Sequence, residues 1–280
     1  MSELEALLLG IVQGLTEFLP ISSSGHLILV PWLQDYHFLQ DNEAFNKTFD
    51  VALHAGTLVA VLIYFRADIT RLLHALAGSL RRRAIGGPDE RLAWAIVVGT
   101  IPAVIAGGLG EGVIEDHLGD PWQIAILLIV FGLLLGYADR RPQRQGLEQV
   151  RPRQGLYIGL AQVLSLAPGV SRSGITITAA RFLGLDRDSA ARISFLLLTP
   201  VTAGAVVFKA IGAASEGLPE GVAGPMIVGT IAAAVSGYLA IAGLLAFLRR
   251  RSYDVFVIYR VFLGIVLLGL IASGARGATF

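Results

Sequence analysis

The 280-residue chain has no cysteine, so disulfides, thiol nucleophiles and thiolate metal sites are excluded and any chemistry must come from oxygen and nitrogen groups. It is also poor in charge. Only 15% of its residues are Asp, Glu, Lys or Arg, against about a quarter in soluble domains. Twenty-two basic residues nearly cancel 21 acidic ones, leaving +1, so no basic field exists for nucleic acid. What fills the chain is apolar: 54% hydrophobic, mean hydropathy +0.68, the composition of an integral membrane protein whose surroundings are lipids. Glu3 and Glu5 stand where a secretory signal would carry Lys or Arg, so no cleavage of the first segment is expected.

Apolar segments cover about 4–33, 49–65, 92–110, 122–138, 155–183, 192–211, 224–248 and 255–273. Six have ordinary spanning lengths, given about 20 residues per crossing. The first and fifth are each interrupted by a polar, helix-breaking cluster, Pro20-Ile21-Ser22-Ser23-Ser24-Gly25 and Pro168-Gly169-Val170-Ser171-Arg172-Ser173-Gly174. A shift of 149 residues superposes them without a gap: Gly10 falls on Gly159, Gln13 on Gln162, Ser22 on Ser171, Ser24 on Ser173 and Gly25 on Gly174. This pattern reads as a duplication of four segments.

Stretches 66–91, 139–154, 181–192 and 249–254 hold 17 of the 22 basic residues, whereas 34–48, 111–121 and 212–223 hold only Lys47 against nine carboxylates. The positive-inside rule places the first set in the cytoplasm. That partition works only if the fifth segment dips in and returns. By internal homology the first does the same, leaving three crossings per half, and an odd number inverts the halves. The expected fold is therefore an all-α integral membrane protein with an inverted-topology repeat. A first repeat, 1–140, and a second, 155–280, each combine one re-entrant helical hairpin (4–33, 155–183) with three transmembrane helices. The first hairpin enters from outside and the second from inside, their tips meeting near the midplane. Irregular backbone at that depth must line a cavity or be buried in protein, which makes the tips the expected site.

Each returning arm starts with Ser and Gly, good N-cap residues, so two helix N-termini would converge and favour an anion such as phosphate. Arg172 in the second tip is costly at membrane depth unless paired or liganded. It either joins the hairpins through an ion pair with Glu17 or clamps phosphate oxygens bidentately. Gln13 and Glu17, four apart, share a helix face, where Glu17 could hold a divalent cation or act as general base. His26 lies three residues after Ser23, within reach of a Ser-His pair. Ser22, Ser23, Ser24, Ser171, Ser173 and Thr176 form a hydroxyl cluster. His37, His54, His74 and His117 lack such company and read as structural. Asp139 and Arg260 read as snorkelling residues at cytoplasmic ends of spans.

Gln13-Gly14-Leu15-Thr16-Glu17, Pro20 through His26, and Pro168-Gly169-Val170-Ser171-Arg172-Ser173-Gly174-Ile175-Thr176 occur in order at the duplicated positions. Here the chain resembles the bacterial undecaprenyl-diphosphatases of the bacitracin-resistance type, over essentially its whole length. The resemblance implies a membrane phosphatase that converts undecaprenyl diphosphate to the monophosphate carrier of cell-wall synthesis, in the bacterial inner membrane with its site opening outward. It implies Mg2+ or Ca2+ as cofactor, held by Glu17 with Gln13, where Gln13 removes one carboxylate that the family motif permits. The expected catalytic set is Glu17, Ser23, His26 and Arg172, with Ser22, Ser24, Gly25, Ser171, Ser173 and Thr176 binding substrate. Either Ser23 attacks with His26 as base, or His26 attacks. Expected partners are a polyprenyl diphosphate and membrane lipids; a homodimer is left open.

Two rivals are weighed against this reading. Inverted repeats with midplane hairpins also build transporters and flippases, which need no nucleophile. Acid-phosphatase-like lipid phosphatases share Ser24-Gly25-His26 but require a later His, and no histidine follows Arg172.

Overall fold

The computed structural model describes residues 1–34, 43–142, 144–216 and 222–279, and their secondary structure is helical apart from one isolated bridge, Gln145 to Leu185. Eleven α-helices occur among them: α1 (Glu3–Phe18), α2 (Ser23–Gln34), α3 (Glu43–Tyr64), α4 (Arg66–Arg82), α5 (Pro88–His117), α6 (Pro121–Asp139), α7 (Pro152–Val163), α8 (Arg172–Phe182), α9 (Arg187–Glu216), α10 (Ala223–Leu248) and α11 (Asp254–Ala272). Six of them, α3, α5, α6, α9, α10 and α11, contain apolar stretches long enough to cross a bilayer, within a few residues of the six ordinary segments in the sequence. The protein is a multi-pass, all-α membrane protein.

The two interrupted segments are helix pairs. Helices α1 and α2 have 16 and 12 residues, α7 and α8 12 and 11. At 1.5 Å per residue even the longest reaches only about 24 Å, short of the ~30 Å hydrocarbon core. Proline sets both breaks. The residues before Pro20 and Pro168 are Leu19 (ψ 140) and Ala167 (ψ 122), extended as a following proline demands. Helix α4 is an addition to the sequence reading, which treats 66–91 as a connection. Its Ile69, Leu72 and Leu76, at helical spacing, pack into the main core cluster.

Small residues let the short helices dock. Helix α1 lies along α10 and α7 along α5. A Cβ at Gly10 would sit 2.3 Å from the Gly229 carbonyl oxygen, and one at the duplicated Gly159 would sit 2.0 Å from that of Gly99. Outward faces carry large apolar side chains instead, such as Ile231, Val235 and Leu239 on α10 and Ile258, Phe262 and Ile265 on α11. Gly159→Val is accordingly expected to cost folded protein, read as loss of the monodisperse peak in detergent, because the backbone of Gly99 cannot move aside. Gly107→Ala, with nothing within 4 Å, should leave the peak unchanged.

Two charged residues differ from their sequence reading. Asp139 does not snorkel: it is buried, accepts two hydrogen bonds from Arg187 (2.8 and 2.9 Å), pairs with Arg181 at 2.9 Å, and takes the Tyr253 amide at 3.1 Å. Packing of α6 against α11 closes it off, with Arg181 reaching it from α8 and Arg187 from the start of α9. Arg260 is likewise wholly enclosed, for the reason given with the site.

Candidate active site

The two helix breaks touch, and they are conformational copies. Ser22 (φ 78) and Ser171 (φ 73), one duplicated pair of positions, both adopt the left-handed backbone that side chains other than glycine rarely take. Each hydroxyl oxygen accepts the amide three residues on, Gly25 at 3.3 Å and Gly174 at 3.1 Å, as an N-cap does. Each lies near the hydroxyl two residues on, Ser24 at 3.5 Å and Ser173 at 3.2 Å. Cross-bonds then join the tips: the Gly169 amide donates to Ser22 Oγ (3.0 Å) and Ser173 Oγ donates to the Leu19 carbonyl (3.0 Å). A Cβ on Gly25 would meet Ile124 of α6 and Ser22 at 3.2 Å and the Gly169 nitrogen of the second tip at 3.5 Å, so glycine here lets the first tip pack close against α6.

Glu17 is the focus of the polar set. On Oε2 it accepts from Ser23 Oγ at 2.6 Å and from Gln13 Nε2 at 3.1 Å; on Oε1 it accepts from Arg172 Nη2 at 2.7 Å. Arg172 Nη1 also donates to Thr202 Oγ1 of α9 at 2.7 Å. The Arg172 side chain is 21% exposed while that of Glu17 is 1% exposed, so of the pair the arginine is the accessible member. The ion pair expected from the sequence is thus present, and its two hydrogen bonds leave donors over from the five that a guanidinium carries.

His26 is not paired with Ser23, whose hydroxyl goes to Glu17. Its Nδ1 lies 2.7 Å from the Ser22 carbonyl, which can only accept, so Nδ1 carries the proton. In the neutral imidazole Nε2 then accepts from the Tyr259 hydroxyl, also at 2.7 Å. Thr176 is fully buried, with its hydroxyl shared between the Arg172 carbonyl and Ser194 Oγ, both at 2.7 Å, and serves to hold α8 on α9. His54 departs from its structural reading: its Nδ1 donates to the Asp50 carbonyl at 2.7 Å and its Nε2 stands 3.8 Å from Glu17 Oε2. His74 is exposed on α4, while His37 and the side chain of His117 lie outside the described residues.

Among the described residues Arg260 is the most enclosed charged one. Its guanidinium donates to the carbonyls of Pro20 (3.3 Å), Gly169 (2.9 Å) and Val170 (3.0 Å) in the two tips, and to Leu127 (3.4 Å) and Leu128 (3.1 Å) of α6. Gly132 and Gly174 leave room for it, since a Cβ on either would approach the Arg260 side chain to 3.1 or 2.8 Å. Sequence reasoning missed this residue and Tyr259. A basic residue inside an otherwise apolar α11 was the available signal.

Among the described residues no group of three or more His, Cys, Asp and Glu gathers to hold a metal ion. The donor set near Glu17 suits a less complete site. Gln13 is buried with its Oε1 lacking any hydrogen-bond partner, and one carboxylate with one amide oxygen matches how Mg2+ is held when substrate phosphates complete its shell.

Fold and site together define a multi-pass membrane protein with an internal, arginine-lined polar site built from two helix breaks. The chain belongs to the family described as bacitracin resistance protein BacA, whose model matches residues 6–266. It is 50% identical over 266 residues to an undecaprenyl-diphosphatase of Geobacter sulfurreducens, covering 94% of this chain and 96% of that protein. It is also 43% identical over 279 residues to one of Pelobacter propionicus (99% and 100%), and 47% identical over 281 residues to one of Thermomicrobium roseum (97% and 99%).

Proposed function

We propose that the protein is a membrane phosphatase that hydrolyses undecaprenyl diphosphate to undecaprenyl phosphate and inorganic phosphate. The relatives' shared name supports the substrate. The observation that carries the chemistry is the Ser23 hydroxyl donating at 2.6 Å to a carboxylate whose other oxygen is held by Arg172. In this mechanism Glu17 takes the Ser23 proton as Oγ attacks the terminal phosphorus. The P–O bond to the bridging oxygen breaks, and Glu17 returns that proton to the departing undecaprenyl phosphate. Water then cleaves the phosphoserine, its proton passing through Glu17 back to Ser23 Oγ while inorganic phosphate leaves. Arg172 and the amides at the tips bind phosphate oxygens, since phosphoryl transfer is mostly positioning and charge neutralisation. Of the two nucleophiles weighed from sequence, Ser23 is the better placed, because His26 Nε2 already accepts the Tyr259 proton. A Mg2+ or Ca2+ ion held by Glu17 and Gln13 Oε1 would supply further neutralisation of phosphate charge.

The test is phosphate release by detergent-purified protein from a polyprenyl diphosphate, with and without added divalent cation. Cation-dependent release lost in Ser23→Ala is expected; a folded wild type that releases no phosphate overturns the reading. Transport alone would not require a serine hydroxyl seated on a carboxylate.

The proposal extends to architecture. Halves 1–140 and 155–280 are related by duplication and inversion, with the basic connections in the cytoplasm, the protein in the inner membrane and the site opening outward. The copied conformations of Ser22 and Ser171 support it, as does the exchanged docking of α1 on α10 and α7 on α5. Glu43→Cys and Arg82→Cys, placed singly in a chain without cysteine, should label from opposite faces of intact cells or vesicles. Labelling of both from one face would sink the orientation.

A further inference from the structure

The tip that carries His26 is held from far along the chain. Two successive residues of α11 reach it: Arg260 binds the tip carbonyls, and Tyr259 binds the imidazole. The Tyr259 and His26 rings lie nearly parallel, at an interplanar angle of 13° with centroids 5.7 Å apart. His26 is buried, whereas Tyr259 is 40% exposed. The two nitrogens of His26 are thus fixed by different parts of the fold. The Ser22 carbonyl decides which one carries the proton, and the Tyr259 hydroxyl decides where the other points.

We propose that Tyr259 is a positioning residue for the phosphatase reaction, acting through His26: its hydroxyl seats Nε2, so that Nδ1 keeps its bond to the Ser22 carbonyl and the first tip holds the next residue, Ser23, on Glu17. The inference rests on the function proposed above and adds a residue that neither the motifs nor the family's name indicates. Physically, a neutral imidazole flanked by one acceptor and one donor has a single tautomer and a single ring orientation. Removing the phenol oxygen leaves Nε2 without its partner, and the ring is then free to turn about its remaining bond to Ser22. Stacking survives in phenylalanine, so Tyr259→Phe removes one hydrogen bond and little else.

The experiment is a double-mutant cycle on the full-length protein in detergent, using Tyr259→Phe, His26→Gln and the pair, with phosphate release from a polyprenyl diphosphate as one readout. The second readout is site-resolved modification of His26 by diethylpyrocarbonate, followed by mass spectrometry, which needs no turnover. Tyr259→Phe is expected to lower kcat about 10-fold with KM changed less than about 2-fold. The pair should be no slower than His26→Gln alone, because residues acting as one unit are not additive. Modification of His26 should be several-fold faster in Tyr259→Phe than in wild type. Multiplying kinetic effects, or a modification rate and kcat both equal to wild type, would overturn the inference. If wild type itself releases no phosphate, the enzyme reading fails, while the modification rate still decides whether Tyr259 seats His26.

Discussion

Glu17→Gln is expected to lower phosphate release by about 10³-fold with the protein still folded, measured as kcat at saturating substrate beside a thermal unfolding curve in detergent. General base catalysis by a placed carboxylate is worth about 10²–10⁴-fold. The amide keeps the shape, its oxygen can still accept from Arg172, and its NH2 can donate to Gln13 once the Gln13 amide turns its unpartnered Oε1 toward it, but it cannot take the Ser23 proton held at 2.6 Å. Folding should suffer less. Although breaking a buried ion pair can cost about 3–5 kcal/mol, the Arg172 side chain left behind is 21% exposed and keeps Thr202, so its charge is not stranded. Glu17→Asp separates base from cation ligand: the shorter side chain withdraws from Ser23, and added Mg2+ or Ca2+ should not restore the rate if proton transfer is what was lost. Full recovery at raised cation concentration would instead make Glu17 chiefly a metal ligand.

Arg260→Met should be the most damaging single change to folding. Its guanidinium serves five carbonyl oxygens drawn from both tips and α6, and among the described residues no carboxylate pairs with it. Each buried acceptor left without a donor costs about 1–3 kcal/mol, and carbonyls of an irregular turn have no helix partner to fall back on. The variant is expected to lose several kcal/mol and to fall out of the monodisperse peak in detergent. Arg260→Lys, with one charged head and three donors, should retain folded protein at a lowered unfolding temperature and reduced phosphate release, because the tips are no longer held at a fixed separation. Wild-type stability in Arg260→Met would mean that the cross-bonds between Ser22, Gly169, Ser173 and Leu19 hold the tips unaided.

Much of the site was legible because it is local. The Pro clusters, the Ser and Gly that restart each helix, and the matched positions 149 residues apart are properties of short stretches, and Ser22 and Ser171 adopt the same strained turn. Glu17 and Arg172 could be paired on paper because a lone cation in an apolar segment needs a partner. Ser23 went to the wrong partner for a related reason. Spacing put it near His26 on one helix, while the break between α1 and α2 folds its hydroxyl onto Glu17, six residues back. His54 looked structural because nothing adjacent to it in sequence is catalytic; the packing of α3 against α1 brings it to the carboxylate.

The sequence by itself determined the membrane class, the six helices long enough to cross, the two broken segments and the residues at their tips, since hydropathy, proline and N-cap chemistry act over a few neighbouring residues. Tertiary structure alone decided what closes the site. Tyr259 and Arg260 lie more than 200 residues from the first tip, and Asp139 meets Arg181, Arg187 and Tyr253 from three other parts of the chain. Whether such a residue snorkels or is enclosed depends on which face of its helix the neighbours cover, and that register is set by small residues packing at a distance.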